Sequence, residues 1–359
     1  MSKEYEIEVY GQRSLYGQKN RKFKIYFSEP ENGVNKDTGI LNIIAGYGGR
    51  SNSKVYKKMR KVFADKYNLI VIQCDYLGYE FLNNENEDII LKTDNMKEEI
   101  NYDDLKRING DLNELFKLNL KKYEFDAVLK EDYDNLNDMG LVQAMDNLLS
   151  IKVVMDILEE NKLNFNKRKI ISYGHSHGAY LSYLCNIFAP KLFSAIIDNS
   201  AYIYPIYLEL PRCGIAQQEG NYIYIYYNYL ISKIVFDKEI YKLKNLYSQL
   251  ENKCKIISFH GKNDNMITLN DKIEFLQKIN NVEIEVIDEN RVDKEVFYSD
   301  SHGLDADFIK LFDYVWNKYD LASKEEKGVF TNVEYKTINY KYSVNNDYGI
   351  PKLSYEKTF

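Results

Sequence analysis

Residues 169–181 read Lys169-Ile170-Ile171-Ser172-Tyr173-Gly174-His175-Ser176-His177-Gly178-Ala179-Tyr180-Leu181. Residues 169–173 read as a strand with Ile170 and Ile171 as its apolar centre, and 179–188 read as a helix of small and apolar residues. Between them lies G-x-S-x-G. Three fixed residues in five recur by chance in many unrelated chains, so the setting decides the reading. A sharp strand-to-helix turn holds its central residue in strained backbone geometry, and flanking glycines leave room for close packing. Such a turn lifts the Ser176 hydroxyl out of the sheet and aims it at the helix N-terminus. The bland alternative is a Gly-rich turn carrying an idle serine.

A serine hydroxyl is a poor nucleophile at neutral pH and needs a base oriented by a third group. The chain holds four histidines, His175, His177, His260 and His302. Neighbours of the central residue in a turn of this kind point away from it, which removes His175 and His177 as bases. His302 lies far downstream in Asp300-Ser301-His302-Gly303, in a loop between the last strand and a helix, and is the expected base. The acid is expected after the preceding strand, in His260-Gly261-Lys262-Asn263-Asp264, with Asp264 first and Asp300 as the alternative. His260 then supports the acid loop.

A tetrahedral intermediate needs two backbone N–H donors. His177 offers one. The other is expected from Gly46-Tyr47-Gly48-Gly49, which follows an apolar strand at 41–45; Tyr47 is the first choice and Gly48 the second. Arg50, just beyond, is a candidate to bind a substrate carboxylate, with a solvated arginine as the bland alternative, and His175 and Tyr202 are further candidates for substrate contact. Neither a P-loop nor a G-x-G-x-x-G pattern occurs in this loop, which argues against a nucleotide site.

Outward from these motifs, strands are expected at 5–10, 22–27, 69–73, 193–197, 255–259 and 282–287, with helices at 53–66, 140–161 (strongly amphipathic) and 304–319. Strands alternating with helices imply a mainly parallel sheet flanked by helices, with ligands beyond the carboxyl ends of the strands. Residues 81–137 are polar and acidic, with helical periodicity only in places such as 105–118, and read as an insertion without a core of its own. Residues 202–247 are Tyr-rich, and their helical parts suit a cap or lid. The extension 327–359 alternates and suits an edge hairpin. We therefore expect one domain over 1–359.

Composition narrows the function further. Hydrophobic residues are 45% and charged residues 28% of the 359, ordinary for a globular chain able to bury a core. A net charge of −6 argues against nucleic acid as the main partner. The 33 tyrosines, besides reflecting genome composition, suit a Tyr-lined pocket. Cys74, Cys185, Cys213 and Cys254 lie far apart, which argues against a disulfide framework or a zinc site. The charged segment 1–6 has no apolar signal core behind it, and no apolar run approaches the roughly 20 residues of a membrane span. A cytoplasmic protein without metal or cofactor is expected.

The motifs occur in a familiar order. Ala45-Gly46-Tyr47, Asp75-Tyr76-Leu77-Gly78-Tyr79, the Ser176 turn, His260-Gly261 with Asp264, and Ser301-His302-Gly303 resemble the α/β-hydrolase superfamily over residues 40 to 315. Ala45 departs from the commoner His-Gly-X. The stretch 173–181 together with Ile197-Asp198-Asn199-Ser200 resembles, more narrowly, a bacterial family of unknown function. Some of its members are encoded near flagellin or surface-glycan modification genes. The resemblance implies an α/β-hydrolase fold and a small-molecule or glycan ester substrate. Prolyl-oligopeptidase-like peptidases share the motifs, so peptidase action, like acyl transfer to a sugar or alcohol, stays open beside ester hydrolysis. A binding protein that keeps the fold without catalysis is the remaining alternative.

Overall fold

The computed structural model describes residues 2–83, 87–91, 122–218, 221–325, 327–347 and 349–358. An eight-stranded sheet runs through the molecule in the order β1-β2-β4-β3-β7-β8-β11-β12. These strands are β1 (Lys3–Gly11), β2 (Arg21–Glu29), β3 (Gly39–Ile44), β4 (Leu69–Cys74), β7 (Ile170–His175), β8 (Ala195–Asn199), β11 (Lys255–Gly261) and β12 (Val282–Ile287). From β4 through β12 every neighbouring pair is parallel; β1 and β2 join at one edge by antiparallel pairing. The inner strands are β-branched apolar runs such as Leu69-Ile70-Val71-Ile72, and both faces of β3, β4 and β8 are buried. That is the signature of a parallel sheet covered on both sides.

Helices α1 (Lys54–Tyr67), α2 (Leu141–Glu160), α3 (His177–Phe188), α4 (Leu269–Leu276) and α5 (Phe308–Lys318) supply the cover. One core packs Phe63 and Tyr67 of α1 and Phe312 of α5 against Ile43, Val71 and Ile197. The other packs α2, α3 and Phe275 of α4 against Ile44, Ile72 and Ile196. Side chains cap the N-termini of three of these helices: Ser53 accepts from the Tyr56 N–H, Thr268 from Asp271 and Asp307 from Ile309 and Lys310. The α2 segment departs from the amphipathic expectation, because residues 141–151 are buried on every side. The polar residues of that stretch, Gln143, Asp146, Asn147 and Ser150, do not meet solvent. Asp146 takes Arg21 (2.5 and 2.7 Å) and the Leu77 N–H (2.8 Å), and Gln143 donates to Leu77 O (3.0 Å).

The polar insertion and the Tyr-rich segment build one structure. A second sheet runs β5-β6-β10-β9, from β5 (Glu87–Leu91), β6 (Lys122–Leu129), β9 (Arg212–Gln218) and β10 (Asn221–Tyr227). β6 and β10 pair in parallel, Tyr222 opposite Lys122 and Tyr227 opposite Ala127. Within 202–247, where helical parts are expected, residues 212–218 and 221–227 instead form strands: Tyr-Ile-Tyr-Ile-Tyr at 222–226 has the two-residue period of a strand. Short helical turns at Ile231–Ile234 and Leu243–Tyr247 follow. The helical periodicity at 105–118 falls outside the described residues. The C-terminal strands β13 (Val333–Lys336), β14 (Tyr340–Asn345) and β15 (Lys352–Lys357) form their own antiparallel sheet instead of an edge hairpin on the main one. Tyr335 anchors it by donating to Ile187 O at the end of α3 (2.6 Å).

Candidate active site

Strand β7 delivers the chain directly into Ser176, whose φ of 51° and ψ of −115° are strained for an L-residue. The strain persists because its surroundings fix it. The Ser176 N–H donates to Asn199 O (2.8 Å), and the Tyr180 N–H to Ser176 O (3.0 Å). Glycine is required on either side: a Cβ on Gly174 would lie 2.3 Å from Gly178 O, and one on Gly178 would lie 2.0 Å from Ile44 O.

The structure brings Ser176, His302 and Asp264 into one hydrogen-bonded line. Ser176 Oγ lies 2.8 Å from His302 Nε2, and His302 Nδ1 lies 2.9 Å from Asp264 Oδ2. Asp264 Oδ1 accepts the Met266 and Ile267 N–H groups (2.8 and 3.2 Å). Burial would raise the Asp264 carboxyl; the His302 hydrogen bond and charge, with the Met266 N–H, outweigh it and hold the group below its ordinary range. His260 is fully buried, and its Nε2–H donates to Ile267 O (3.1 Å), closing the loop that carries Asp264. Asp300 turns elsewhere and accepts Asn263 Nδ2 (2.7 Å).

His177 opens α3, where the first backbone N–H groups have no partner within the helix. Its ring is a buried relay. Nε2–H donates to Gln143 Oε1 (2.6 Å), and Nδ1 accepts the Tyr202 hydroxyl. Burial lowers the ring to about 3, so it is neutral at pH 7. Tyr202, expected at the substrate, instead sits 4% exposed behind the turn as the partner of His177. The expectation for Gly48 is also corrected: its N–H donates to Leu82 O (3.0 Å) and is spent there. The Tyr47 N–H makes no backbone hydrogen bond among the described residues. Arg50 does not line the cavity above Ser176; its carbonyl accepts the Ser53 N–H (3.0 Å) at the start of α1.

That cavity, of about 340 Å³, is bordered by Ser176, His302, Tyr47, His175, Met266 and Phe308, and by Tyr207 and Arg212 from the Tyr-rich segment. His175 packs on Phe308 (4.6 Å between centroids), and its Nδ1 accepts from Asn199 Nδ2 (3.0 Å). Burial first, then the His302 charge, lower it to about 4. The residues after β8 also tie down the His302 loop. Asn199 Nδ2 reaches Gly303 O (3.3 Å), and Ser200 Oγ accepts the Gly303 N–H (3.1 Å). Asn199 and Ser200 stand in the sequence only as part of the Ile197–Ser200 resemblance, without a role; Gln143, Tyr207 and Arg212 carry no motif of their own. Among the described residues no group of three or more His, Cys, Asp or Glu side chains is placed to hold a metal ion, and no helix is long and apolar enough to cross a membrane. Cys74, Cys185 and Cys254 are buried free thiols, and Cys213 is an exposed one.

The strand order, with a strained serine between a central strand and a buried helix, defines the α/β-hydrolase fold. The chain belongs to the family described as a protein of unknown function (DUF2920), whose model matches residues 3–316. No curated protein matches it. The acylaminoacyl peptidase of Pyrococcus horikoshii is similar in structure at 11% identity and a TM-score of 0.52, covering 90% of this chain and 42% of that one. Est1E of Butyrivibrio proteoclasticus, solved with ferulic acid bound, aligns at 13% identity and a TM-score of 0.46, over 81% of this chain and 91% of that one. The peroxisomal alpha-beta-hydrolase Lpx1 of Saccharomyces cerevisiae aligns at 13% and 0.46, over 87% and 86%. At these identities the likeness is one of fold.

Proposed function

We propose that the protein is a serine hydrolase that cleaves a small carboxylic ester through an acyl-serine intermediate. The observation that carries this reading is the unbroken line from Ser176 Oγ through His302 to Asp264, with contacts of 2.8 and 2.9 Å. As Ser176 Oγ bonds to the ester carbon, His302 Nε2 takes the hydroxyl proton. Asp264 keeps Nδ1–H oriented and stabilises the imidazolium. The oxyanion is received by the backbone N–H groups of His177 and Tyr47. Collapse expels the alcohol, which leaves with the proton from His302. Water, deprotonated by His302, then attacks the acyl carbon and releases the acid and free Ser176.

The cavity's size suits a small acyl group, and the genomic setting of the resembling family points to an acyl ester on a glycan. A fluorophosphonate probe tests the nucleophile: wild type is labelled and Ser176→Ala is not, whereas equal labelling of both overturns the reading. Panels of aryl esters, peptidyl amides and sugar acceptors then separate esterase, peptidase and transferase action by which product accumulates.

A further inference from the structure

Arg212 is the first residue of β9, and its guanidinium reaches into the cavity that holds Ser176 and His302. The guanidinium carbon stands 4.7 Å from the ring centroid of Tyr47 and 5.1 Å from that of Tyr227. Tyr47 is itself a residue of the proposed oxyanion loop. We propose that Arg212 selects the substrate, and that this substrate is an ester carrying a carboxylate on its acyl or alcohol side; the proposal rests on the serine-hydrolase reading above.

Three observations support it. First, a guanidinium is always charged and presents a planar fork that matches a carboxylate, and stacking on two rings restrains it before a ligand arrives. The side chain is engaged by neighbours in the free protein, which keeps the charge in place. Second, the surrounding charges leave this one dominant. His175 is neutral at pH 7, since burial and the His302 charge lower it to about 4. Asp305, the carboxylate among the described lining residues, is exposed, so water screens it. Third, Met266, Ala306 and Phe308 give the wall an apolar portion, and a cation beside it serves to orient a substrate that has an anionic end.

Two pairs of esters test this. On the acyl side, 4-nitrophenyl hemisuccinate is compared with its methyl-capped counterpart; on the alcohol side, 4-acetoxybenzoate is compared with its methyl ester. In one pair the wild type favours the charged member in kcat/KM. Arg212→Gln lowers that charged-to-neutral ratio by about 10- to 100-fold, the worth of a charge-assisted pair. Arg212→Lys, which keeps the charge and loses the fork, falls between. A wild-type ratio near one in both pairs, or a ratio that Arg212→Gln leaves unmoved, overturns the proposal. Should Arg212→Gln fail to fold, the wild-type and Arg212→Lys ratios decide it. Fluorophosphonate labelling of the wild type separates the two failures. An unlabelled wild type sinks the serine-hydrolase reading and the proposal with it. A labelled wild type with an unmoved ratio sinks the Arg212 role alone.

Discussion

The two sheets that border the cavity are built differently. The eight-stranded sheet presents the ends of β7, β8 and β11, where the backbone is buried and each turn is pinned by several hydrogen bonds. The buried carboxylate of Asp198 in β8 is fully paired: Lys272 of α4, itself fully buried, donates to Asp198 Oδ2 (2.8 Å) and Ala201 O (2.7 Å), while Tyr183 and Ser258 add hydroxyl donors to the same carboxylate. The four-stranded sheet alternates instead, with Ile215 65% and Tyr222 47% exposed. Glu131 ties it to the chain on either side, accepting the Leu230 and Asn137 N–H groups (2.6 and 2.8 Å). The eight-stranded sheet, the floor, thus holds Ser176 in place, and the four-stranded sheet, the roof, contributes Arg212 to the cavity beside it.

The largest break in that contrast is His302→Ala. On the proposed mechanism it lowers kcat for an aryl ester by about 10⁴- to 10⁶-fold, as loss of one member of such a unit does. His260→Ala, which removes the hydrogen bond to Ile267 O and the longer approach of Nδ1 to Asp264 Oδ2 (3.8 Å), lowers it far less. The reverse ranking overturns the assignment of the base. Next is Lys272→Met. It strands the Asp198 carboxylate that burial would otherwise protonate and that Lys272 keeps ionised. Urea denaturation is expected to show a loss of roughly 3–5 kcal/mol, recovered in part by adding Asp198→Asn. Equal losses in the single and double variants would show that the pair is not coupled.

These floor residues were also the legible ones. Ser176 follows β7 directly, Asp264 lies just past the end of β11, and His302 lies in the loop between β12 and α5; the expected strand at 282–287 coincides with β12. What stayed illegible depends on contacts between distant segments. The polar face of α2 reads as a solvent face until Arg21 and Leu77, far away in sequence, are seen to cover Asp146. The partner of β10 is β6, nearly a hundred residues earlier, and tyrosine's mixed character blurs the alternation that would announce either strand. Hence Arg50, beside a motif, stands out in the sequence, while Arg212, which borders the cavity, does not. The α4 helix escaped notice between two strands, and a free three-stranded sheet has the same residue pattern as the edge hairpin expected at the C-terminus.

A milder test uses pH on the floor's histidines. His177 and His175 have folded values near 3 and 4 against an ordinary 6.5, so both stay neutral while the unfolded chain takes up protons. Above 6.5 neither state is protonated and no stability is at stake. As pH falls below 6.5 stability is lost, by about 2 kcal/mol from each group at pH 5. In His177→Gln the difference between pH 7 and pH 5 should shrink by about 2 kcal/mol, the share of that one group, read by urea titration at the two values. An unchanged difference would mean that His177 is protonated in the folded protein, against its bonds to Gln143 and Tyr202.

The smallest effect belongs to the roof. Ile215→Thr, on an exposed face of β9, keeps a β-branched side chain and disturbs no buried contact, so its stability should stay within about 0.5 kcal/mol of wild type. The melting temperature then moves by roughly 1–2 °C at most. A larger drop that depends on protein concentration would show that this face is covered by a second molecule in solution. In that case the roof, like the floor, would be an interior surface, and the contrast between the two sheets would hold only for the isolated chain.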